Sequence, residues 1–90
     1  MKARRWRIEG TTAYELIDQE AVALNLKTGL YYRLSPVAAR ALDCLQRDLD
    51  LEDLLDVIVN EFEVDRSVAR ADLVQLVTEL ESFGLVAPRP

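Results

Sequence analysis

The sequence has no histidine, a single cysteine and no long hydrophobic run, and each of these absences removes a class of function. Without histidine, the chain lacks the side chain that most often acts as a general acid or base near neutral pH. Cys44 alone cannot form an intramolecular disulfide or a cysteine-rich zinc site. The apolar runs are too short to span a bilayer. The sequence therefore argues against an enzyme, and no cofactor or membrane partner is expected.

The remaining candidates for chemistry are also weak. Cys44 falls near Val37 and Ala41 in a predicted helix, which indicates a small core residue and not a nucleophile. Most carboxylates fall on helix faces opposite the apolar positions, where solvation explains them. The acidic run 50–56 lacks the alternation with glycine that a calcium loop needs, and the chain has no glycine-rich phosphate loop. No catalytic or metal site is predicted.

The chain is otherwise typical of one globular domain. It has 90 residues, of which 50% are hydrophobic and 30% charged, which suffices for a single modest core. No signal peptide is recognisable, so a cytoplasmic protein is expected. Four of the eleven basic residues precede the first acidic one, although the net charge is −5. We therefore predict a basic, solvated arm over residues 1–11 and an acidic domain over residues 12–87, which disfavours a nucleic-acid partner.

Three strands are predicted before the first helix. Residues 12–17 alternate weakly, and residues 20–26 alternate with Val22, Leu24 and Leu26 on the side expected to be buried. Residues 27–29 read as a three-residue hairpin loop that ends at Gly29 in a left-handed conformation. This loop would place Leu26 opposite Leu30. Leu24 would then face Tyr32, and Val22 would face Leu34.

Three helices follow, each with an apolar stripe and a start signal. We predict helices over about residues 36–46, 51–62 and 66–83, behind the N-cap residues Ser35, Asp50 and Asp65, with Gly84 ending the third. The main stripe of the third helix consists of Ala69, Leu73, Leu76, Leu80 and Phe83. Strands followed by helices indicate an α+β fold: a three-stranded antiparallel sheet and then three helices.

The last strand is the candidate binding element. If consecutive strands pair, the strand over Leu30–Leu34 lies at an edge with free hydrogen-bonding capacity, and only Arg33 protects this edge. A terminal segment could cover the edge, a second copy of the chain could pair with it, or it could receive an extended peptide from another protein. A second stripe on the third helix borders its core stripe and consists of Arg70, Val74, Val77 and Glu81. We expect it to form a groove with this edge. We therefore predict a peptide-binding site, by strand addition, at Leu30, Tyr31, Tyr32, Arg33, Leu34, Arg70, Leu73, Val74, Val77 and Glu81.

Five segments follow one another along the chain in a characteristic order: Leu24-Asn-Leu-Lys-Thr-Gly-Leu-Tyr-Tyr-Arg-Leu34, Ser35-Pro-Val-Ala-Ala-Arg40, Glu63-Val-Asp65, Ala71-Asp72-Leu73 and Gly84-Leu85. In their order and spacing they resemble the PqqD-like family, whose members bind the leader peptides of ribosomally made, modified peptides. The resemblance extends from about Thr12 to Val86, and its specificity comes from the order and spacing of its motifs. Where family members commonly have Asn before the first helix, this chain has another capping residue, Ser35.

The resemblance implies a winged-helix-like fold and a leader peptide that adds as a strand beside residues 30–34. It also implies a partner enzyme that processes the precursor. The overall likeness favours a stand-alone lasso-peptide protein that serves a separate leader protease. A chaperone for a peptide modified by a radical enzyme is the alternative. A DNA-binding winged helix is disfavoured because residues 65–83 carry more acids than bases.

Overall fold

The predicted succession of strands and helices is confirmed by a computed structural model that describes residues 4–90. Residues 1–3, and with them Lys2 of the predicted basic arm, lie outside the described part. The fold is α+β, and none of the helices in residues 4–90 is long and apolar enough to cross a membrane. The elements are β1 (Trp6–Ile8), β2 (Thr12–Ile17), β3 (Glu20–Asn25), β4 (Leu30–Leu34), α1 (Pro36–Gln46), α2 (Leu51–Phe62), α3 (Arg66–Ser82) and β5 (Val86–Pro88).

The three helices begin where their capping residues predict. The side chains of Ser35, Asp50 and Asp65 each accept a hydrogen bond from the backbone N–H three residues later. Gly84 follows α3 with φ +74°, the left-handed conformation that its position predicts. The capping residues therefore mark the start of each helix, and Gly84 marks the end of α3, through contacts that lie close by in the sequence.

The central sheet has the order β2-β3-β4 and is antiparallel throughout. The predicted hairpin register is wrong by one residue, because the loop contains four residues, 26–29. Asn25 pairs with Leu30, and Ala21 pairs with Leu34. Gly29 has φ +78°, so the left-handed position was predicted correctly. The register differs because the loop begins at Leu26, which is 60% exposed and does not continue the strand.

The one-residue difference exchanges the two faces of β3. The predicted buried set, Val22, Leu24 and Leu26, does not face the core; Ala21 and Ala23 do. These alanines let α1 pack close to the sheet, with Ala41 and Leu42 completely buried. The rule that larger apolar residues mark the buried face fails here because the helix needs small residues beneath it.

Asn25 completes the buried face of β3 with a polar side chain that is only 5% exposed. Its Oδ1 accepts hydrogen bonds from the backbone N–H groups of Lys27 at 2.9 Å and Thr28 at 3.2 Å. Its Nδ2 donates to the carbonyl of Phe83 at 2.9 Å. Asn25 therefore ties the β3–β4 loop to the C-terminal end of α3.

A second, two-stranded sheet was not predicted. Residues Trp6–Ile8 pair antiparallel with Val86–Pro88, and Trp6 is only 2% exposed. The Trp6 indole N–H donates to Glu81 of α3. The expectation of a solvated segment is thus wrong for residues 6–8. Three-residue strands carry too little periodicity to be identified before their partner strand is known.

Candidate functional site

The edge predicted for β4 is confirmed within the described sheet, where β4 has β3 on one side only. Tyr32 turns toward the helices and stacks on Phe83, with ring centroids 4.3 Å apart and an interplanar angle of 17°. Leu34 faces the same way and is buried. Because side chains alternate along a strand, Tyr31 and Arg33 face the opposite side of the sheet.

A groove of about 460 Å³ runs between this edge and α3. Its lining is mainly apolar, with the carboxylate of Glu79 as the charged group that α3 contributes. Unpaired strand backbone beside an apolar groove is the arrangement that extended peptides use: the backbone supplies hydrogen bonds and the groove takes alternate side chains. Tyr31 and Arg33 of the edge strand border the groove, although their side chains alternate to the other face of the sheet. The other residues that line it are Tyr32, Leu34, Ser35, Ala38, Leu76, Glu79, Leu80 and Phe83.

The structure does not bring the predicted stripe on α3 to this groove. Val77 and Leu73 are buried in the core, and Val74 is half-buried. Arg70 forms two hydrogen bonds with Glu52 of α2, at 2.7 and 2.8 Å. Glu81 accepts the hydrogen bond from Trp6. The stripe therefore turns toward α2 and β1, away from β4.

The error has a simple geometric cause. A core-facing helix has two flanks, and the sequence does not tell which flank faces the sheet edge, since that depends on how the helix packs. At about 100° per residue, Leu76 and Phe83 lie on the flank opposite Val74. Both had been assigned to the core stripe, but they are half-buried and line the groove. Leu76 and Phe83 share this flank with Glu79, and this grouping is the sequence feature that could have indicated the side of α3 that faces the groove.

The two arginines of α3 are paired with carboxylates of α2. Arg66 contacts Asp56 at 2.7 Å, and the Arg70 guanidinium holds the pKa of Glu52 below its usual range by hydrogen bonding. Because Arg66 and Arg70 already have carboxylate partners, α3 does not present a basic face for a phosphate backbone. This pairing argues against DNA binding.

The one cysteine of the chain is not placed to act as a nucleophile. Cys44 is buried, and burial raises the pKa of its thiol, which disfavours the reactive thiolate. Residues 4–90 contain no group of three acidic or cysteine side chains placed to hold a metal ion.

A second concavity of about 450 Å³ lies between the β2–β3 turn and helices α1 and α2. Its most prominent charged group, Arg40, is held by Glu61 at 2.9 Å and by Asp43 at 2.8 Å. The strong hydrogen bond to Glu61 raises the pKa of Arg40 further. Because this guanidinium already has two carboxylate partners, and because the groove beside β4 combines an unpaired edge of the described sheet with a mainly apolar lining, the groove is the better candidate site.

The comparisons with known proteins agree with this geometry. The chain matches the family model of coenzyme PQQ synthesis protein D (PqqD) over residues 20–86. The structure of TbiB1 in complex with the TbiA(beta) leader peptide has a TM-score of 0.84 and is 31% identical, over 89% of this chain and 93% of that chain. The structure of a lasso peptide synthetase B1 complexed with the leader peptide has a TM-score of 0.83 and is 27% identical, over 93% of this chain and 99% of that chain.

No curated protein sequence matches the chain. The family match nevertheless spans more than half of the sequence and includes the hairpin, all three helices and the groove between β4 and α3. The resemblance inferred from the sequence is therefore confirmed. This chain belongs to the PqqD family.

Proposed function

We propose that this protein binds the leader region of a ribosomally made precursor peptide by strand addition to β4. The observation that carries the proposal is the coincidence of a free strand edge with an apolar groove. Two proteins of similar structure are described as complexes with leader peptides. The leader backbone would pair with residues 30–34, and alternate side chains would enter the groove against Leu76 and Phe83.

We further propose that the protein presents the bound leader to a separate processing enzyme and catalyses nothing itself. Likeness to lasso peptide synthetase B1 proteins favours a leader protease as that enzyme. The family description keeps a PqqD-type partner, a radical enzyme in quinone-cofactor synthesis, as the alternative. A cytoplasmic setting, where precursor peptides are made, fits this role.

The binding mode is tested with a panel of synthetic leader peptides that includes the TbiA(beta) leader. In the variants Tyr32→Pro and Arg33→Pro, proline removes an amide hydrogen from β4. Amides of an edge strand alternate in direction, so one variant should weaken binding far more than the other. Folding of each variant is checked by circular dichroism. If both variants remain folded and bind every leader as the wild type does, strand addition is wrong.

The groove is tested by comparing two aspartate substitutions on α3. Leu76→Asp places a charge against the bound peptide, whereas Val74→Asp places the same charge on the opposite flank. Both positions are half-buried, so their effects on stability should be similar while their effects on affinity differ. Leu76→Asp should abolish measurable leader binding, and Val74→Asp should retain it in the folded fraction. Equal loss in both variants would contradict the assignment of the groove.

Presentation to an enzyme is tested with full-length and leaderless precursor, each incubated with the candidate protease with and without this protein. Bringing substrate and enzyme together raises the effective concentration, so stimulation should be large at low precursor concentration and shrink as precursor is raised. The stimulation should need the leader and disappear with Leu76→Asp. Equal stimulation of the leaderless precursor would contradict delivery through the leader.

A further inference from the structure

The face of the sheet opposite the groove carries two exposed side chains on the edge strand. Tyr31 is 70% exposed, and the side chain of Arg33 is 84% exposed. In a strand added to β4, successive side chains alternate between the groove and this outer face. Half of the side chains of such a peptide would therefore lie on the outer face, beside the side chains of Tyr31 and Arg33.

The guanidinium of Arg33 has N–H donors that no short hydrogen bond within the described protein occupies. Its cross-strand neighbour on β3 is Val22, which is uncharged. Its contact with Glu20 is long, 3.8 Å, and the Glu20 side chain is itself 57% exposed. An exposed pair of this length contributes little and is readily exchanged. The guanidinium can therefore serve a partner on the free side of β4.

The groove face carries the opposite charge. Glu79 belongs to the lining of the groove, on the side of the sheet that Tyr32 faces. An acidic residue directed into the groove would meet a like charge and an apolar lining. Shifting an added strand by one residue exchanges its two faces, so it would move an outward acid from Arg33 to the Glu79 side.

We propose that Arg33 selects an acidic residue at the outward position opposite it in the added strand, and that Tyr31 selects an apolar outward residue two positions away. This inference rests on the proposed strand addition and specifies its substrate class. The preferred peptide is an extended segment with an acid and an apolar side chain outward, separated by an apolar side chain that enters the groove. Directly opposite cross-strand side chains are close enough for a charge pair. Arg33 and Glu79 together then fix the register.

The test uses a displayed library of random peptides about ten residues long, which covers a full strand. It is panned separately on the wild type and on Arg33→Glu. Arg7→Glu is the matched control, because Arg7 is an exposed arginine on a strand of the other sheet. The wild type and Arg7→Glu should both enrich an acid flanked by apolar residues. Arg33→Glu should enrich lysine or arginine at that position with the same flanking residues.

One enriched peptide and its acid-to-lysine counterpart are then titrated against both proteins. Arg33→Glu should weaken the acidic peptide about fivefold or more and should bind the lysine peptide better than the wild type does. The preference should decrease as salt is raised. Identical enrichment on wild type and Arg33→Glu, or no exchange of preference, overturns the role of Arg33.

The same peptides are titrated against Tyr32→Pro and Arg33→Pro, which separates the two proposals. If a folded proline variant loses binding, while wild type and Arg33→Glu show the same preference between the acidic and the lysine peptide, this inference alone is overturned. Unchanged binding to both proline variants, or a wild type that enriches no peptide, overturns strand addition as well.

Discussion

Replacing Asn25 with alanine tests how the groove is held together. Asn25 connects the loop before the edge strand β4 to the end of α3, where Phe83 stacks on Tyr32. Asn25→Ala removes all three hydrogen bonds and leaves the Phe83 carbonyl without its side-chain donor. The variant should therefore lose stability and, because both walls of the groove depend on this link, leader affinity in the folded fraction.

The magnitude follows from the environment of each bond. Lys27 and Thr28 are exposed, so water replaces Asn25 at their N–H groups, and each loss should cost about 0.5 kcal/mol. The Phe83 carbonyl lies at a half-buried residue, where an unsatisfied group costs about 1–3 kcal/mol. The sum is about 2–4 kcal/mol, a substantial part of the roughly 5–15 kcal/mol typical of a domain.

Urea unfolding followed by tryptophan fluorescence measures this loss, because Trp6 is the only tryptophan and is buried in the native state. Asn25→Asp keeps the acceptor for the loop but loses the donor to Phe83, so most of the destabilisation should remain. Thr28→Ala removes one exposed hydrogen bond to the Leu30 N–H and should cost less than about 1 kcal/mol. A loss below about 1 kcal/mol in Asn25→Ala, or near-native stability in Asn25→Asp, would refute this reasoning.

Two further predictions concern the same core. Gly84→Ala should destabilise the protein more than Gly29→Ala: both glycines have positive φ, but only at residue 84 would the new Cβ meet another side chain, 2.7 Å from Asn25 Nδ2. Urea unfolding of the two variants measures the difference, and equal losses would show that Asn25 moves aside freely. Cys44 should react with a thiol reagent only as fast as the protein opens, because its thiol is buried with a raised pKa; rapid labelling in the absence of urea would contradict this.

Local sequence signals determined much of the fold. Capping residues, helical periodicity and Gly84 set the helix boundaries, because these signals act within a few residues of the position they specify. Antiparallel pairing of consecutive strands placed Leu30–Leu34 at an edge, and the order of motifs indicated the PqqD family. The strand edge that borders the candidate groove was therefore predicted from the sequence.

Only the tertiary structure decided which side chains face each other. The four-residue loop shifted the hairpin by one residue and brought Ala23 and Asn25, instead of Leu24, to the core. The packing of α3 placed Leu76 and Phe83 beside β4 and turned Arg70 toward Glu52. A periodic pattern fixes which residues share a face, but the partner of that face depends on contacts between segments that are distant in the sequence. For the same reason, the pairing of Trp6–Ile8 with Val86–Pro88 became visible only in the folded chain.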